Sequence, residues 1–139
     1  MADVLTPQQR SFNMSRIKSR DTKPERIVRS IVHALGFRYR LHKPDLPGKP
    51  DIVLVRHGKI IDVYGCFFHM HKCPCGRVVP ATNSQFWEQK RVSNVKRDRR
   101  NLRTLRRAGW KVLVVWECET KRPNTLNRKL NKFLRAGQN

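Results

Sequence analysis

The first periodic stretch of the chain runs from Thr22 to Gly36, where apolar residues recur every three or four positions. That spacing places them on one face of an amphipathic helix. Thr22 is a suitable N-cap, Glu25 three residues later completes a capping-box pattern, and Pro24 fits the first turn. Gly36 follows as a residue that ends helices. The expected core face consists of Ile27, Val28, Ile31, Val32 and Leu35.

Shorter apolar stretches between residues 37 and 65 predict three strands. FRYRL (37–41) alternates apolar and basic residues, as a half-buried strand does. DIVLV (51–55) and KIIDVYG (59–65) are joined by Arg56-His57-Gly58, which predicts an antiparallel pair. Residues 42–50 contain three prolines and are expected to form a loop.

The second half of the chain predicts two helices and one strand. A long helix is expected from residue 83 or 84 to about Ala108, and a shorter one from Asn124 or Thr125. WKVLVVW (110–116), between them, is almost continuously apolar, which is typical of a strand buried on both faces. The apolar positions are Phe86, Val95, Leu102 and Leu105 in the first helix and Leu126, Leu130, Phe133 and Leu134 in the second.

The resulting element order is α-β-β-β-α-β-α, without internal repeats. It predicts an α/β protein in which a mixed central β-sheet is flanked by helices. We expect a single domain over residues 21–139, because a chain of 139 residues is long enough to bury one core. Residues 1–20 are polar and basic and predict an N-terminal arm, either solvated or ordered against nucleic acid.

Charge adds a prediction about the partner. The chain has 31 Lys and Arg residues against 10 Asp and Glu residues, a net charge of +21. A protein this basic is expected to bind a polyanion, nucleic acid above all. A solvated face would not explain why acidic residues are so scarce on the long helix. The candidate phosphate contacts there are Lys96, Arg97, Arg99 and Arg100.

The same sequence argues against a membrane or secreted protein. No apolar run approaches the roughly 20 residues needed to span a bilayer. The first ten residues also lack the apolar region of a signal peptide. We therefore expect an intracellular, cytoplasmic protein whose four cysteines are reduced.

Cysteines and histidines cluster after the third predicted strand. Cys66, His71 and Cys73 fall within eight residues, and Cys118 follows the predicted strand at 110–116. Three thiolates and one imidazole form a common closed ligand set for structural Zn²⁺. Cys75 is a rival ligand because one residue separates it from Cys73, and reduced cysteines without metal are the remaining alternative.

Carboxylates and a further histidine suggest a second, harder site. Asp51 stands at the start of a predicted strand, where it could hold Mg²⁺ for phosphodiester cleavage. Asp62 is a candidate second carboxylate, but the alternation that buries Ile61 and Val63 turns it outward and predicts a solvated charge. His69 is either a general acid or base or a surface histidine, and its spacing leaves both open.

Phe67, Phe68 and Trp87 are aromatic residues that core packing does not account for. The adjacent Phe67 and Phe68 cannot both point inward from one loop. Apolar side chains inserted between base pairs open and bend duplex DNA, which makes the three residues candidates for such a wedge. The alternative is that one of them covers the Cys/His cluster and another the core.

Six segments of the chain, spread over most of its length, match one known family in that family's order. They are RSFNMSRIKSRDTKPE (10–25), LPGKPDIV (46–53), GCFFHMHKC (65–73), PATNSQFW (80–87), NVKRDRRNLRTLRRAGW (94–110) and VLVVWEC (112–118). On these segments the chain resembles the very-short-patch repair (Vsr) family of DNA mismatch endonucleases. The resemblance implies a PD-(D/E)xK nuclease-like fold, that is, a restriction-endonuclease-like fold, with a structural zinc site.

The resemblance also implies an activity. The family nicks one strand of duplex DNA next to the thymine of a T·G mismatch, which arises when 5-methylcytosine deaminates. The hydrolysis would require Mg²⁺ as the catalytic ion and Zn²⁺ as a structural ion. We expect a nucleoid-associated monomer that acts on duplex DNA with a T·G mismatch, alongside other mismatch-repair proteins.

Individual residues receive roles from the same resemblance. Asp51 would hold the magnesium together with the backbone of Val63, and His69 would act in acid–base chemistry. Glu25, structural by its place in the helix cap, would belong to the active-site surroundings. The remaining assignments are Cys66, His71, Cys73 and Cys118 for zinc, Phe67, Phe68 and Trp87 for the wedge, and Met14 in the arm that clamps the DNA.

Some positions depart from the family pattern. Phe68 stands where tryptophan is expected, which keeps an aromatic wedge with less stacking area. Tyr64 replaces a histidine, so a second catalytic histidine does not carry over. Met70 and Lys72 also replace histidines, which argues against zinc ligation at those positions.

Two other functions stay open from the sequence. A zinc-stabilised DNA-binding protein would use the same basic helix without catalysis, and Asp51 would then be only a strand-end residue. A restriction or junction-resolving nuclease would keep the fold and act on another DNA substrate.

Overall fold

The computed structural model describes residues 22–137. The predicted arm, residues 1–20 with Met14, lies outside the described residues. Within the described part, three α-helices and four strands follow one another in the predicted order α-β-β-β-α-β-α. The prediction of a mixed α/β fold is confirmed.

The long elements lie close to their predicted positions. The helices are α1 (Lys23–Ala34), α2 (Ser84–Arg107) and α3 (Pro123–Arg135). The strands are β1 (Arg40–Leu41), β2 (Ile52–Leu54), β3 (Lys59–Tyr64) and β4 (Lys111–Trp116). Short 3₁₀ helices follow β2 and β4, at Val55–His57 and Glu117–Lys121. None of the helices within residues 22–137 is both long and apolar enough to cross a membrane.

The two amphipathic helices begin differently. Thr22 caps α1 as predicted, its Oγ1 accepting a hydrogen bond from the Glu25 N–H at 3.4 Å. Helix α3 begins at Pro123, so the predicted start at Asn124 or Thr125 is wrong. Proline fits this first position because a helix leaves its first N–H groups unpaired and proline has none.

The four strands form one sheet in the order β1-β2-β3-β4. Strand β2 is antiparallel to both of its neighbours, whereas β3 is parallel to β4. Gly58, in the turn between β2 and β3, has a φ of +64°, a left-handed conformation that costs glycine little. Helix α2 makes the crossover between the parallel strands, so the chain leaves both of them at the same end of the sheet.

Helices cover both faces of the sheet. On one face Leu105 of α2 packs against Val53 and Ile60. On the other face α1 and α3 pack against the sheet. The alternation along β2 explains the division, since Ile52 and Leu54 lie on the face opposite to Val53. The cluster under α1 and α3 includes Val28, Val32, Phe37, Ile61, Val115, Leu126, Leu130 and Leu134.

Two details of the prediction are wrong, and a third holds only in part. The strand expected over 37–41 is only Arg40–Leu41, an exposed pair at one edge of the sheet. Strand β4 contacts the core on both faces, with Val112 on one face and Leu113 and Val115 on the other, but it is the other edge strand and only Val115 is fully buried. Phe86, expected on the core face of α2, is 56% exposed, since this helix meets the core through Leu105 near its other end.

Lys59 ties the end of α3 to the sheet from a buried position. It is the first residue of β3 and only 3% exposed. Its Nζ donates hydrogen bonds of 2.8 Å to the carbonyl oxygens of Phe133, Leu134 and Ala136. The last carbonyls of a helix lack partners within it, and the helix dipole also favours a cation there. One ammonium group therefore satisfies three acceptors.

Replacing Lys59 with methionine should lower the free energy of unfolding by about 1–3 kcal/mol, because the carbonyls at the end of α3 lose a charged donor. Urea unfolding followed by circular dichroism measures this change. Lys111→Met is the matched control, since Lys111 pairs with Lys59 in the parallel register and is exposed. Equal losses in the two variants would contradict the capping by Lys59.

Candidate active site and Cys/His centre

A cleft of about 990 Å³ opens where the start of β2, the end of β3 and the middle of α2 meet. It collects carboxyl groups from α1, the start of β2, β3 and α2, imidazoles from two loops, and polar and basic side chains from α2. The groups expected for a metal-dependent nuclease therefore share one cavity. Its charged and polar lining includes Glu25, His42, Asp51, Asp62, Tyr64, His69, Arg97, Asp98, Arg100 and Asn101.

Asp51 and Asp62 are joined through the backbones of adjacent strands. The Asp51 N–H donates to Asp62 Oδ1 at 3.3 Å, and the Val63 N–H donates to Asp51 Oδ2 at 2.7 Å. Asp62 is only 8% exposed, so the expectation of a solvated charge is wrong. Alternation fails as a guide here because helices cover both faces of β3, where Ile60 and Ile61 are both fully buried.

Burial raises the pKa of both carboxyl groups. Desolvation raises the pKa of Asp51 to about 7; the Val63 N–H opposes this shift, while the charges of Asp62 and Glu25 add to it. Desolvation also raises the pKa of Asp62 to about 6, against the hydrogen bond from the Asp51 N–H. A divalent cation bound beside these groups would stabilise their ionised forms.

Glu25, His42 and Asp51 have the geometry of a metal site, with one ligand atom from each within 4.8 Å of the others. Two carboxylates and an imidazole fit a hard or borderline divalent cation. Glu25 is buried in the first turn of α1 and accepts a hydrogen bond from Arg29 at 3.0 Å. Sequence reasoning missed His42, whose backbone N–H donates to the backbone carbonyl of Asp51 at 3.3 Å. That proximity depends on the pairing of β1 with β2.

His69 has two side-chain contacts within residues 22–137. Its Nδ1 contacts the Asp98 carboxylate of α2, and its ring stacks on Tyr64 with centroids 4.2 Å apart and planes 10° apart. A carboxylate at one ring nitrogen orients an imidazole and leaves the other nitrogen for chemistry. Sequence reasoning missed Asp98, although it is the single acidic residue in the basic stretch 94–110.

The Cys/His centre lies where the chain leaves β3 and β4. Because Tyr64 pairs with Trp116 in the parallel register, Cys66 and Cys118 each follow two residues later and come together. The Cys118 N–H donates to Cys66 Sγ at 3.3 Å. The predicted ligand set forms one cluster whose ligand atoms all lie within 4.8 Å of one another: Cys66, His71, Cys73 and Cys118. Such a set fits a closed tetrahedral metal site.

Hydrogen bonding within this centre favours a thiolate at Cys73. Although desolvation opposes ionisation, hydrogen bonds from the His71 side chain and the Gly76 N–H hold the pKa of Cys73 below its ordinary value. Burial raises the pKa of Cys66. The thiolate is the form that binds metals, so Cys73 is prepared as a ligand.

The three candidate wedge residues contact one another. Ring centroids are 5.2 Å apart for Phe67 and Phe68, 5.6 Å for Phe67 and Trp87, and 6.2 Å for Phe68 and Trp87. All three are half-buried. Phe86, which sequence reasoning assigned to the core, extends this group, with its centroid 5.3 Å from Trp87. The rings form one aromatic cluster at the start of α2.

Comparison with known proteins shows which enzymes have similar sequences. The family model for DNA mismatch endonuclease Vsr matches residues 2–75. The chain belongs to the Vsr family. Family membership confirms the resemblance seen in the sequence and makes the protein an endonuclease of DNA mismatch repair.

Individual relatives match over most of the chain. It is 40% identical over 134 residues to the type II nicking enzyme V.XorIIP of Xanthomonas oryzae pv. oryzae, covering 96% of this chain and 98% of that protein. It is 42% identical over 135 residues to the type II nicking enzyme V.NmeAIP of Neisseria meningitidis serogroup A, with coverages of 97% and 96%. It is 43% identical over 118 residues to the DNA mismatch endonuclease Vsr of Escherichia coli, with coverages of 85% and 75%.

Arg91 anchors the loop that carries the Cys/His centre of this Vsr endonuclease. It is only 6% exposed, and its guanidinium lies 4.4 Å from the centroid of the Phe67 ring. It donates to the carbonyl oxygens of Phe67 at 2.6 Å and Val78 at 3.1 Å, and also to that of Gly76. Sequence reasoning missed this role, because nothing local separates Arg91 from the other basic residues of α2.

The four predicted phosphate contacts of α2 do not all lie at the cleft. Arg97 and Arg100 line the cleft. Lys96 lines a separate shallow hollow beside Glu88, and Arg99 is exposed. Two of the four predicted phosphate contacts of the Vsr endonuclease therefore lie beside the candidate active site.

Cys118→Ser should reduce the metal content of the purified Vsr endonuclease from about one ion per chain to below about half, since a hydroxyl is a poor substitute for a thiolate. Elemental analysis after dialysis measures this content. Cys75→Ser is the matched control, because Cys75 is exposed and lies outside the four-residue cluster. Metal loss in the control with retention in Cys118→Ser would show that the ligand set is different.

Proposed function

We propose that this endonuclease nicks one strand of duplex DNA beside the thymine of a T·G mismatch, by Mg²⁺-dependent hydrolysis of a phosphodiester bond. The proposal is carried by the cleft in which buried carboxylates, the His69–Asp98 pair and the arginines of α2 meet. These groups can serve as cation ligands, as a proton-transfer group and as phosphate contacts.

The proposed fold is of the PD-(D/E)xK type. Pro50-Asp51 and Asp62-Val63-Tyr64 follow that pattern, with Tyr64 where a lysine is expected. The pairing of β2 with β3 supports this assignment, because it joins Asp51 to Asp62 by a hydrogen bond of 3.3 Å.

Asp51 and Glu25, with the backbone of Val63, would hold the magnesium. Magnesium prefers oxygen ligands and usually takes one or two carboxylates from the protein. Asp51 Oδ2 already accepts the Val63 N–H, which leaves Oδ1 facing His42 and available to a cation. When bound, the ion supplies positive charge that stabilises the phosphate during cleavage.

His69 would transfer the proton. An ionised carboxylate accepts hydrogen bonds, so the contact of Asp98 with Nδ1 places the ring hydrogen on that nitrogen. Nε2 then carries the lone pair and can take a proton from the attacking water. Asp98 also stabilises the imidazolium that forms.

Phe67, Phe68 and Trp87 would enter the duplex at the mismatch. Their rings already contact one another and remain half-exposed, so little has to be rearranged before bases can stack on them. Opening a base step costs least where pairing is already imperfect. The lower cost of opening a mismatched step supports a preference for mismatched DNA.

The ion proposed for the Cys/His centre is Zn²⁺, in a structural role. Zinc favours tetrahedral sets of cysteine and histidine, and four protein ligands leave no position for substrate. Bound there, it would join the chain after β3 to the chain after β4. The wedge residues Phe67 and Phe68 lie between ligands Cys66 and His71, so this centre would also hold the wedge in place.

The remaining parts of the proposal concern the chain as a whole. Residues 1–20, with Met14, would clamp the DNA as an arm, and residues 21–139 would form a single endonuclease domain. The enzyme would act as a monomer on the nucleoid, together with other mismatch-repair proteins. The names of the relatives, nicking enzymes and a DNA mismatch endonuclease, support cleavage of one strand at a mismatch.

With Mg²⁺, the purified protein should nick a duplex containing one T·G mismatch, and Asp51→Ala should slow this reaction by roughly 10³-fold, because several kcal/mol of transition-state stabilisation are lost. Denaturing gel electrophoresis of an end-labelled duplex measures the rate. Asp45→Ala is the matched control, since the Asp45 side chain is 64% exposed and pairs with Lys43.

Two outcomes of this assay would replace the proposal. Binding of the duplex without nicking by the unchanged protein would indicate a zinc-stabilised DNA-binding protein. Equal cutting of the mismatched and the fully paired duplex would indicate a nuclease of the same fold with another substrate.

Phe68→Ala should weaken binding to the mismatched duplex by roughly 5- to 100-fold, the range expected when one base loses an aromatic stacking partner. Fluorescence anisotropy with a labelled duplex measures the dissociation constant. Binding to the fully paired duplex serves as the control and should change much less, since there the wedge has to open paired bases. An equal loss on both duplexes would argue against a wedge at the mismatch.

A further inference from the structure

Four rings stand in a continuous row between the Cys/His centre and the cleft. His71 stacks on Trp116 with centroids 4.1 Å apart and planes 17° apart. Trp116 meets Tyr64 edge-on at 5.4 Å and 81°. Tyr64 in turn stacks on His69 at 4.2 Å and 10°. We call Tyr64 and Trp116 the ring bridge, because they fill the space between the two histidines.

The strand register determines where the ring bridge lies. Tyr64 and Trp116 are the last residues of β3 and β4 and are partners in the parallel ladder. Both histidines belong to the loop that leaves β3. Between them Met70 has a φ of +52°, a left-handed turn that directs His69 and His71 to opposite ends of the bridge.

A hydrogen bond and a stacking contact constrain His69 in different ways. The Asp98 carboxylate fixes the position of Nδ1, but an imidazole can still swing about a single hydrogen bond. The parallel ring of Tyr64 blocks that motion on one face, and the edge contact with Trp116 holds Tyr64 itself. Both constraints together define the direction of the Nε2 lone pair.

We propose that Tyr64 and Trp116 are positioning residues for the nicking reaction, which fix the plane of the His69 imidazole against the Cys/His centre. This inference rests on the proposed acid–base function of His69. Tyr64 acts through its ring and not through its hydroxyl group. The two residues therefore affect the rate of cleavage and leave the binding of DNA unchanged.

The test compares Tyr64→Leu with Tyr64→Phe in the full-length, metal-loaded protein. Tyr64→Leu should slow single-turnover nicking of the T·G duplex by about 3- to 10-fold, the strength of one aromatic pair. The dissociation constant for the same duplex and the metal content should stay unchanged. Tyr64→Phe retains the ring and should recover most of the rate that Tyr64→Leu loses.

Trp116→Leu should lower the single-turnover rate in the same way. Its matched control is Trp110→Leu, because Trp110 precedes the opposite end of β4 and packs against the cluster that contains Leu105. A general loss of stability would slow both tryptophan variants, whereas loss of positioning slows only Trp116→Leu.

A spectroscopic measurement tests the inference independently of activity. The carbon-bound protons of the His69 ring should show upfield shifts in NMR spectra because they lie over the Tyr64 ring. These signals should move downfield in Tyr64→Leu and stay in place in Tyr64→Phe. If Tyr64→Leu does not fold, the Phe variant and the tryptophan pair still decide the question.

Several results would overturn the inference. They are an unchanged rate and unchanged His69 signals in Tyr64→Leu, or a Phe variant as slow as the Leu variant, which would assign the effect to the hydroxyl group. Failure of the proposed function is a separate outcome. It would appear as normal nicking by His69→Ala, while the NMR shifts would still report whether Tyr64 holds the ring.

Discussion

The Cys/His centre and its connection to the cleft depend on the parallel pairing of β3 with β4, which runs from Lys59 opposite Lys111 to Tyr64 opposite Trp116. Because the two strands point the same way, the chain leaves both at one end of the sheet, and the residues that follow can share ligands. A slip of one residue in a strand turns every side chain to the other face. The register therefore determines the Cys/His centre and the ring bridge, which holds the His69 end of the cleft.

The chemistry of the two sites differs although a few residues separate them along the chain. Carboxylates around Asp51 suit a hard cation in an open cleft, whereas thiolates and an imidazole suit a soft or borderline ion in a closed site. The charge of the whole chain and the charge of the cleft have opposite effects on DNA. The net charge of +21 draws DNA to the protein, but the buried acids of the cleft repel phosphate. Arg97, Arg100 and a bound cation would offset that repulsion.

Much of the fold follows from local patterns in the sequence. The capping of α1 by Thr22, the turn at Gly58 and the order of the elements depend on residues a few positions apart, where helix and strand periods are reliable. Spacing also indicated the candidate metal-ligand set from Cys66 to Cys118, because its first three members lie within eight residues. It failed where a strand's place in the sheet mattered, as at Asp62, since alternation predicts burial only when one face is solvated.

The sequence by itself determined the family, the basic character and the candidate ligands of this endonuclease, because each depends on which residues are present and how they are spaced. Only the tertiary structure decided which groups meet. His42 reaches Asp51 through the pairing of β1 with β2, and Asp98 reaches His69 because α2 packs across the sheet. Such contacts join residues distant in the chain, and their geometry is set by register and packing, which no local pattern encodes.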